Sequence, residues 1–143
     1  MPYHDRPLIN AADLAVTRRE IGPAFARILG YYRQDGVVSI TTIEDAMAER
    51  NAAAIILPAH SLKGESLQFA AMRMAELAQH IEMTARQCVE ERTALPDTLD
   101  HDVGQMRLCF HETVKLLEAA IAASPPIART APTRPVFGRR AAT

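Results

Sequence analysis

Long apolar runs, closely spaced cysteines and an excess of charge of one sign are all missing from this chain, and each absence narrows what it does. No apolar stretch approaches the ~18 residues that a membrane span requires, and the polar N-terminus does not look like a signal peptide. Cys88 and Cys109 have no CxxC spacing, which argues against a disulfide framework or a zinc site and fits a reducing cytosol. A formal net charge of -1 gives no global attraction to nucleic acid or to an anionic membrane. His80, His101 and His111 form no HExxH or paired ExxH pattern of the kind that builds a metal site in a bundle, so no metal is expected. No P-loop or glycine-rich nucleotide-binding motif is present either. What is there is 143 residues of near-average apolar content. That is one soluble domain, large enough to bury a core without staples and expected in the cytoplasm.

Apolar periodicity divides the chain into helices. Residues 1–10, with Pro2 and Pro7, read as an irregular lead-in. Asn10 or Asp13 is a candidate cap for a short helix over about 11–19 that carries Leu14 and Val16. Ile21-Gly22-Pro23 is a break, and Pro23 suits the first turn of a new helix. From Phe25 through Ile28, Leu29, Tyr32, Gly36, Ile40, Ile43 and Met47 a spacing of three to four predicts one long helix to about Arg50. Its weak point is Asp35-Gly36 and the β-branched run from Val37 to Thr42. A strand over Val37 to Ile43 is the rival reading, but a lone strand in helical company has no partner. Asn51 is placed to cap a helix over about 52–68, with Pro58 inside it as a candidate bend. A helix over 72–92 carries Met74, Leu77, Ile81 and Ala85, and Leu95-Pro96-Asp97 ends it. The last helix, about 98–122, has an apolar stripe from Leu99 to Ile121. The fold expected is all-α: an up-and-down antiparallel four-helix bundle with an extra short N-terminal helix, spanning 11–123. After Ser124 the composition shifts to proline and arginine without acid. Residues 124–143 are expected to be a disordered basic tail, either a solvated terminus or a docking segment.

One stretch stands apart, Ala59-His60-Ser61-Leu62-Lys63-Gly64-Glu65-Ser66. On a helical wheel at ~100° per residue, Leu62, Phe69 and Ile55 fall within roughly 40° of the pole opposite His60. Lys63, Gly64 and Leu67 fall within about 60° of His60 itself. His60 is therefore expected to point away from the core, beside a cation and a glycine. Glycine costs ~1 kcal/mol relative to alanine inside a helix, so a missing side chain here suggests that something must come close. Ile56, Leu57 and Leu67 share the His60 face, the wrong place for pure core residues, and suit a docking patch. A neutral imidazole is a competent nucleophile near pH 7, and the Lys63 ammonium one turn on could offset the charge of a phosphoryl group. A hairpin that reverses near Ala70-Ala71 brings about residue 81 level with His60. Gln79 and Glu82 then become candidates to hydrogen-bond the imidazole and fix its tautomer. The bland readings are a surface histidine of no consequence, a solvated lysine, a tolerated glycine and a solvent-facing polar pair.

The residues Ala59-His60-Ser61-Leu62-Lys63-Gly64-x-Ser66, followed by Phe69-x-Ala71-x-x-Met74-Ala75-x-Leu77 and Ile81-Glu82, resemble the phosphohistidine motif of histidine-containing phosphotransfer (HPt) domains. The register is free of gaps, and the flanking helices fit over most of the chain. The resemblance implies that His60 carries phosphate between the aspartates of response-regulator receiver domains in a phosphorelay, with a hybrid histidine kinase as a further partner. It also implies that a Gln or Glu on the second helix supports the histidine, with Glu82 at the motif's closing acidic position. No cofactor is expected on this chain, any Mg²⁺ belonging to the receiver, and the bundle is expected to close its core as a monomer. Two positions depart from the family. Glycine is common where this chain has Ala70, which implies a less sharp turn between the helices. A small residue is usual where this chain has Glu65, which must reach solvent or a cation. The alternative from another class is an adaptor that binds and regulates a receiver or kinase without carrying phosphate. Without a nucleotide motif the chain should not phosphorylate itself: incubation with radiolabelled ATP alone is expected to leave His60 unlabelled, and label there would overturn the expectation.

Overall fold

Two helix starts follow the asparagine caps that the sequence offers. The Asn10 side chain accepts from the Asp13 N–H at 3.0 Å, and the Asn51 side chain accepts from the Ala54 N–H at 3.2 Å. Each bond satisfies one of the amide donors that a helix leaves free at its N-terminus. The computed structural model describes residues 2–123, and the expected basic tail, 124–143, lies outside the described residues. The described residues form five α-helices: α1 (Ala11–Ile21), α2 (Phe25–Ala48), α3 (Ala52–Gln68), α4 (Met72–Glu91) and α5 (Thr98–Ala122). Short 3-10 turns occupy Tyr3–Asp5 and Gly22–Ala24, the second holding Pro23 in its first turn. None of the described residues forms a strand. The lead-in is thus more ordered than expected. α3 runs through Pro58 unbroken.

The β-branched run from Val37 to Thr42 stays helical. Thr41 and Thr42 turn their hydroxyls back onto the carbonyls of Val37 and Val38, each at 2.9 Å, so neither hydroxyl competes with the helix for its own amide. Gly36, the expected weak point, has a packing role instead. It is buried in α2, and a Cβ added there would collide with the ring of Phe110 on α5.

α2 to α5 form the bundle. α2 packs on α3, α3 on α4, α4 on α5, and α5 returns to α2, with α3 and α4 the most closely packed pair. Neighbours are antiparallel. Between α2 and α5, Arg50 meets Asp100 at 3.0 Å, Arg107 meets Glu44 at 2.8 Å, and Gly36 faces Phe110, so one chain descends as the other rises. Inside, Tyr32 stacks on Phe69 at 5.0 Å and meets Phe110 edge-on at 5.1 Å, while Phe25 meets Phe69 edge-on at 5.4 Å. Buried Tyr32 and Ser66 share a hydrogen bond of 2.6 Å, which satisfies two polar groups that would otherwise be stranded in the core. That bond, with Ile55, Ala59, Leu62 and Phe69 buried along the same face, sets the rotation of α3. His60 is left outside.

Among the described residues, three turn residues adopt the left-handed region without being glycine: Arg50 (φ 55°), Ala70 (φ 56°) and Arg92 (φ 55°). The cost is roughly 1–2 kcal/mol each. Ala70 corrects the expectation of a relaxed turn, because it takes the conformation that a glycine would take. Its carbonyl is held by the Asn10 N–H at 2.9 Å. The N-terminal segment is tied further to α4: the Arg73 N–H donates to the Pro7 carbonyl at 3.1 Å, Arg73 Nε donates to the Arg6 carbonyl at 2.8 Å, and Arg6 pairs with Glu76 at 3.3 Å.

The Gly36–Phe110 contact yields a test. Gly36→Ala gains about 1 kcal/mol of helix propensity but overpacks a core in which Phe110 is already wedged against Tyr32. Overpacking of this kind costs about 1–3 kcal/mol, so a net loss of up to about 2 kcal/mol is expected in urea unfolding. A gain in stability would show that the ring moves aside.

Candidate functional site

His60 sits at the middle of α3 with its side chain 53% exposed, and directly beneath it lies a carboxylate that is only 3% exposed. That carboxylate is Glu82, one residue from the position that a reversal near Ala70 predicts. His60 Nδ1 lies 3.0 Å from Glu82 Oε2, and Arg86 Nε donates to the same oxygen at 2.9 Å. Lys63 Nζ approaches the other oxygen, Oε1, at 3.2 Å, off the direction of a good hydrogen bond, so that attraction is chiefly charge on charge. Burial by itself would raise the Glu82 carboxyl. Hydrogen bonds from Arg86 and His60, together with the nearby charge of Lys63, outweigh it and hold the group below the usual carboxylate range. Glu82 is therefore ionised at neutral pH.

An ionised carboxylate has no proton to give, so the imidazole must supply the one between them. His60 is held as the Nδ1–H tautomer, and Nε2, across the ring, keeps its lone pair. Two full cations surround one anion here, so the cluster beneath the imidazole carries a net positive charge, which favours an anionic group nearby. Gly64 lies one turn beyond His60, and a Cβ built on it would meet nothing within 4 Å. Packing does not require that glycine. Leu57 and Leu67 are exposed on α3 and Met83 on α4, while Ile56 is half-buried against the core. Ile56, Met83 and Arg86 line an open groove beside the site.

A second histidine–carboxylate pair makes the contrast. His80 Nε2 lies 3.0 Å from Asp102, linking α4 to α5. There the carboxylate holds Nε2, and among the described residues no lysine or arginine pairs with Asp102. Only the His60 pair combines a free Nε2 with nearby cations.

A family model described as the Hpt domain matches residues 27–123. The chain belongs to the Hpt domain family, whose members perform histidine phosphotransfer in two-component systems together with receiver domains and kinases. Comparison with curated proteins and with solved structures found no match. No helix among the described residues is long and apolar enough to cross a membrane.

Of the residues singled out from the sequence, the structure brings His60, Lys63, Gly64 and Glu82 together. Gln79 is not among them: it is exposed and lines a separate depression with Tyr3, His80 and Asp102. Lys63 is half-buried and turned toward Glu82. Glu65 is half-buried and pairs with no cation among the described residues, and its Oε1 is buried without a hydrogen-bond partner. Burial, and then the nearby Asp35 carboxylate, push its carboxyl up. Sequence reasoning missed Arg86. The available signal was its place four residues after Glu82, the spacing at which helical side chains pair.

The depressed Glu82 carboxyl gives a pH dependence of known sign. Below the ordinary glutamate value of about 4.3, the unfolded chain takes up its proton before the folded one does. Glu82's contribution to stability is present above that pH and is lost as pH falls through the folded value. Glu82→Gln is expected to flatten this part of the acid limb in urea unfolding between about pH 5 and pH 2. An unchanged slope would mean that Glu82 is not held charged.

Proposed function

We propose that this protein is a cytoplasmic phosphorelay intermediate that carries a phosphoryl group on His60 between the aspartates of two receiver domains. One observation supports the reading: the buried Glu82 carboxylate holds His60 by Nδ1 at 3.0 Å, and in this reading Nε2 is the nucleophile. The Nε2 lone pair forms a bond to phosphorus as the P–O bond to the donor's aspartate breaks, and that carboxylate leaves with the electron pair. No proton needs to move, because Nδ1 keeps its hydrogen on Glu82. The ring then bears the positive charge of a phosphoimidazolium, facing an anion 3.0 Å away. Attack by a second receiver's aspartate reverses each of these changes. Phosphoryl transfer demands position and charge more than covalent help from the protein, and the site supplies both. Leu57, Leu67 and Ile56 provide apolar contact for the partner, and Gly64 leaves room for it.

The test uses a phosphorylated receiver domain as donor. Acid-labile label is expected on the wild type and absent from His60→Gln. Gly64→Ala separates docking space from folding: it should be about 1 kcal/mol more stable yet slower in transfer, because the added methyl meets only the partner. Binding to receivers without label on the wild type would favour the adaptor reading instead.

A further inference from the structure

Two cations reach Glu82, and their circumstances differ. Lys63 comes from within α3, is only 22% exposed, and places its charge against the inner oxygen, Oε1. Arg86 comes from α4, is 49% exposed, and borders the open groove beside Ile56 and Met83. It donates one hydrogen, from Nε, to Oε2 at 2.9 Å, the oxygen that also receives His60 Nδ1 at 3.0 Å. Two donors on one oxygen can be no further apart than those two bonds laid end to end. Among the described residues no hydrogen bond occupies the terminal amino groups of Arg86. The guanidinium is thus tied through Nε close to the imidazole, on a half-exposed side chain that borders an open groove.

We propose that Arg86, rather than Lys63, is the cation that meets the phosphoryl group at His60 Nε2, its free Nη donors hydrogen-bonding the phosphoryl oxygens during transfer. This rests on His60 being the phosphoacceptor. A guanidinium presents paired donors in a plane that matches two oxygens of a phosphoryl group, whereas an ammonium acts as a point charge. Charge in the transferring group is spread over its equatorial oxygens, where such donors act most strongly. Lys63 then has the other task of keeping Glu82 ionised beneath the ring. The roles expected from the helical wheel are divided between two residues.

The experiment uses the full chain with two donors, a phosphorylated receiver domain and phosphoramidate, which needs no docking surface. With phosphoramidate, Nε2 bonds to phosphorus, the donor's P–N bond breaks, and ammonia leaves with the three hydrogens that it already carries. Wild type, Arg86→Gln, Arg86→Lys and Lys63→Gln are compared for the maximal rate of acid-labile labelling, with His60→Gln as blank. The ¹⁵N signals of the His60 ring report its tautomer in each variant. Arg86→Gln is expected to lower the maximal rate roughly 10- to 100-fold with both donors, with the Nδ1–H tautomer intact and part of the rate restored in Arg86→Lys. Lys63→Gln is expected to disturb the ring signals and to slow labelling less. Labelling of Arg86→Gln at the wild-type rate overturns the inference while leaving His60 as acceptor. So does a slow rate accompanied by loss of the tautomer, since Arg86 would then act only by holding Glu82. Wild type that takes no label from either donor overturns both the inference and the acceptor reading.

Discussion

A carboxylate buried beneath a histidine is an unfavourable thing to build, and the site depends on how that cost is offset. Removing an ion from water costs several kcal/mol unless other groups replace the solvent. Glu82 finds those groups on two helices: His60 and Lys63 from α3, and Arg86 from its own α4. The same contacts hold the two helices in register, orient the imidazole and select its tautomer. Helix packing and the orientation of the imidazole are therefore coupled through one side chain. A neutral residue of the same shape would spare the desolvation, but it would lose the negative charge that faces the imidazole.

The choice of nitrogen separates the two histidine–carboxylate pairs in this fold. His80 and Asp102 lie as close together as His60 and Glu82, and both pairs bridge neighbouring helices. In one the carboxylate takes Nδ1 and cations gather round it. In the other it takes Nε2, and the pair acts as a strut between α4 and α5. Proximity of a histidine to an acid says little until the nitrogen and the surrounding charge are known.

Most of the architecture was legible because the signals were redundant. Asparagine caps, proline breaks and apolar spacing agree at α1, α3, α4 and α5, and the ends fall within two residues of expectation. The outward placement of His60 was legible for the same reason, since Ile55, Leu62 and Phe69 all needed the opposite side. What escaped was whatever depends on contact across helices. Gln79 and Glu82 lie on one turn of α4, and only the packing angle decides which reaches His60. Lys63 shares the His60 face on a wheel, but a wheel does not show that an anion on α4 draws the ammonium inward. Gly36 read as a weakness because Phe110, far along the chain, is what fills its place. Ala70 read as a departure from the family because sequence does not show that the backbone there keeps a glycine's conformation.

The lead-in and α1 precede the stretch that matches the family, residues 27–123, yet they are mechanically part of it. Asn10 holds the carbonyl of Ala70, Pro7 and Arg6 hold Arg73, and Leu14 belongs to the common core. These ties close on the turn that joins α3 to α4, the hinge about which the His60–Glu82 distance is set. The unit that should be excised, transplanted or fused as a working module is therefore longer than its family signature. A boundary drawn at Arg27 would remove the clasp from the hairpin that carries the histidine.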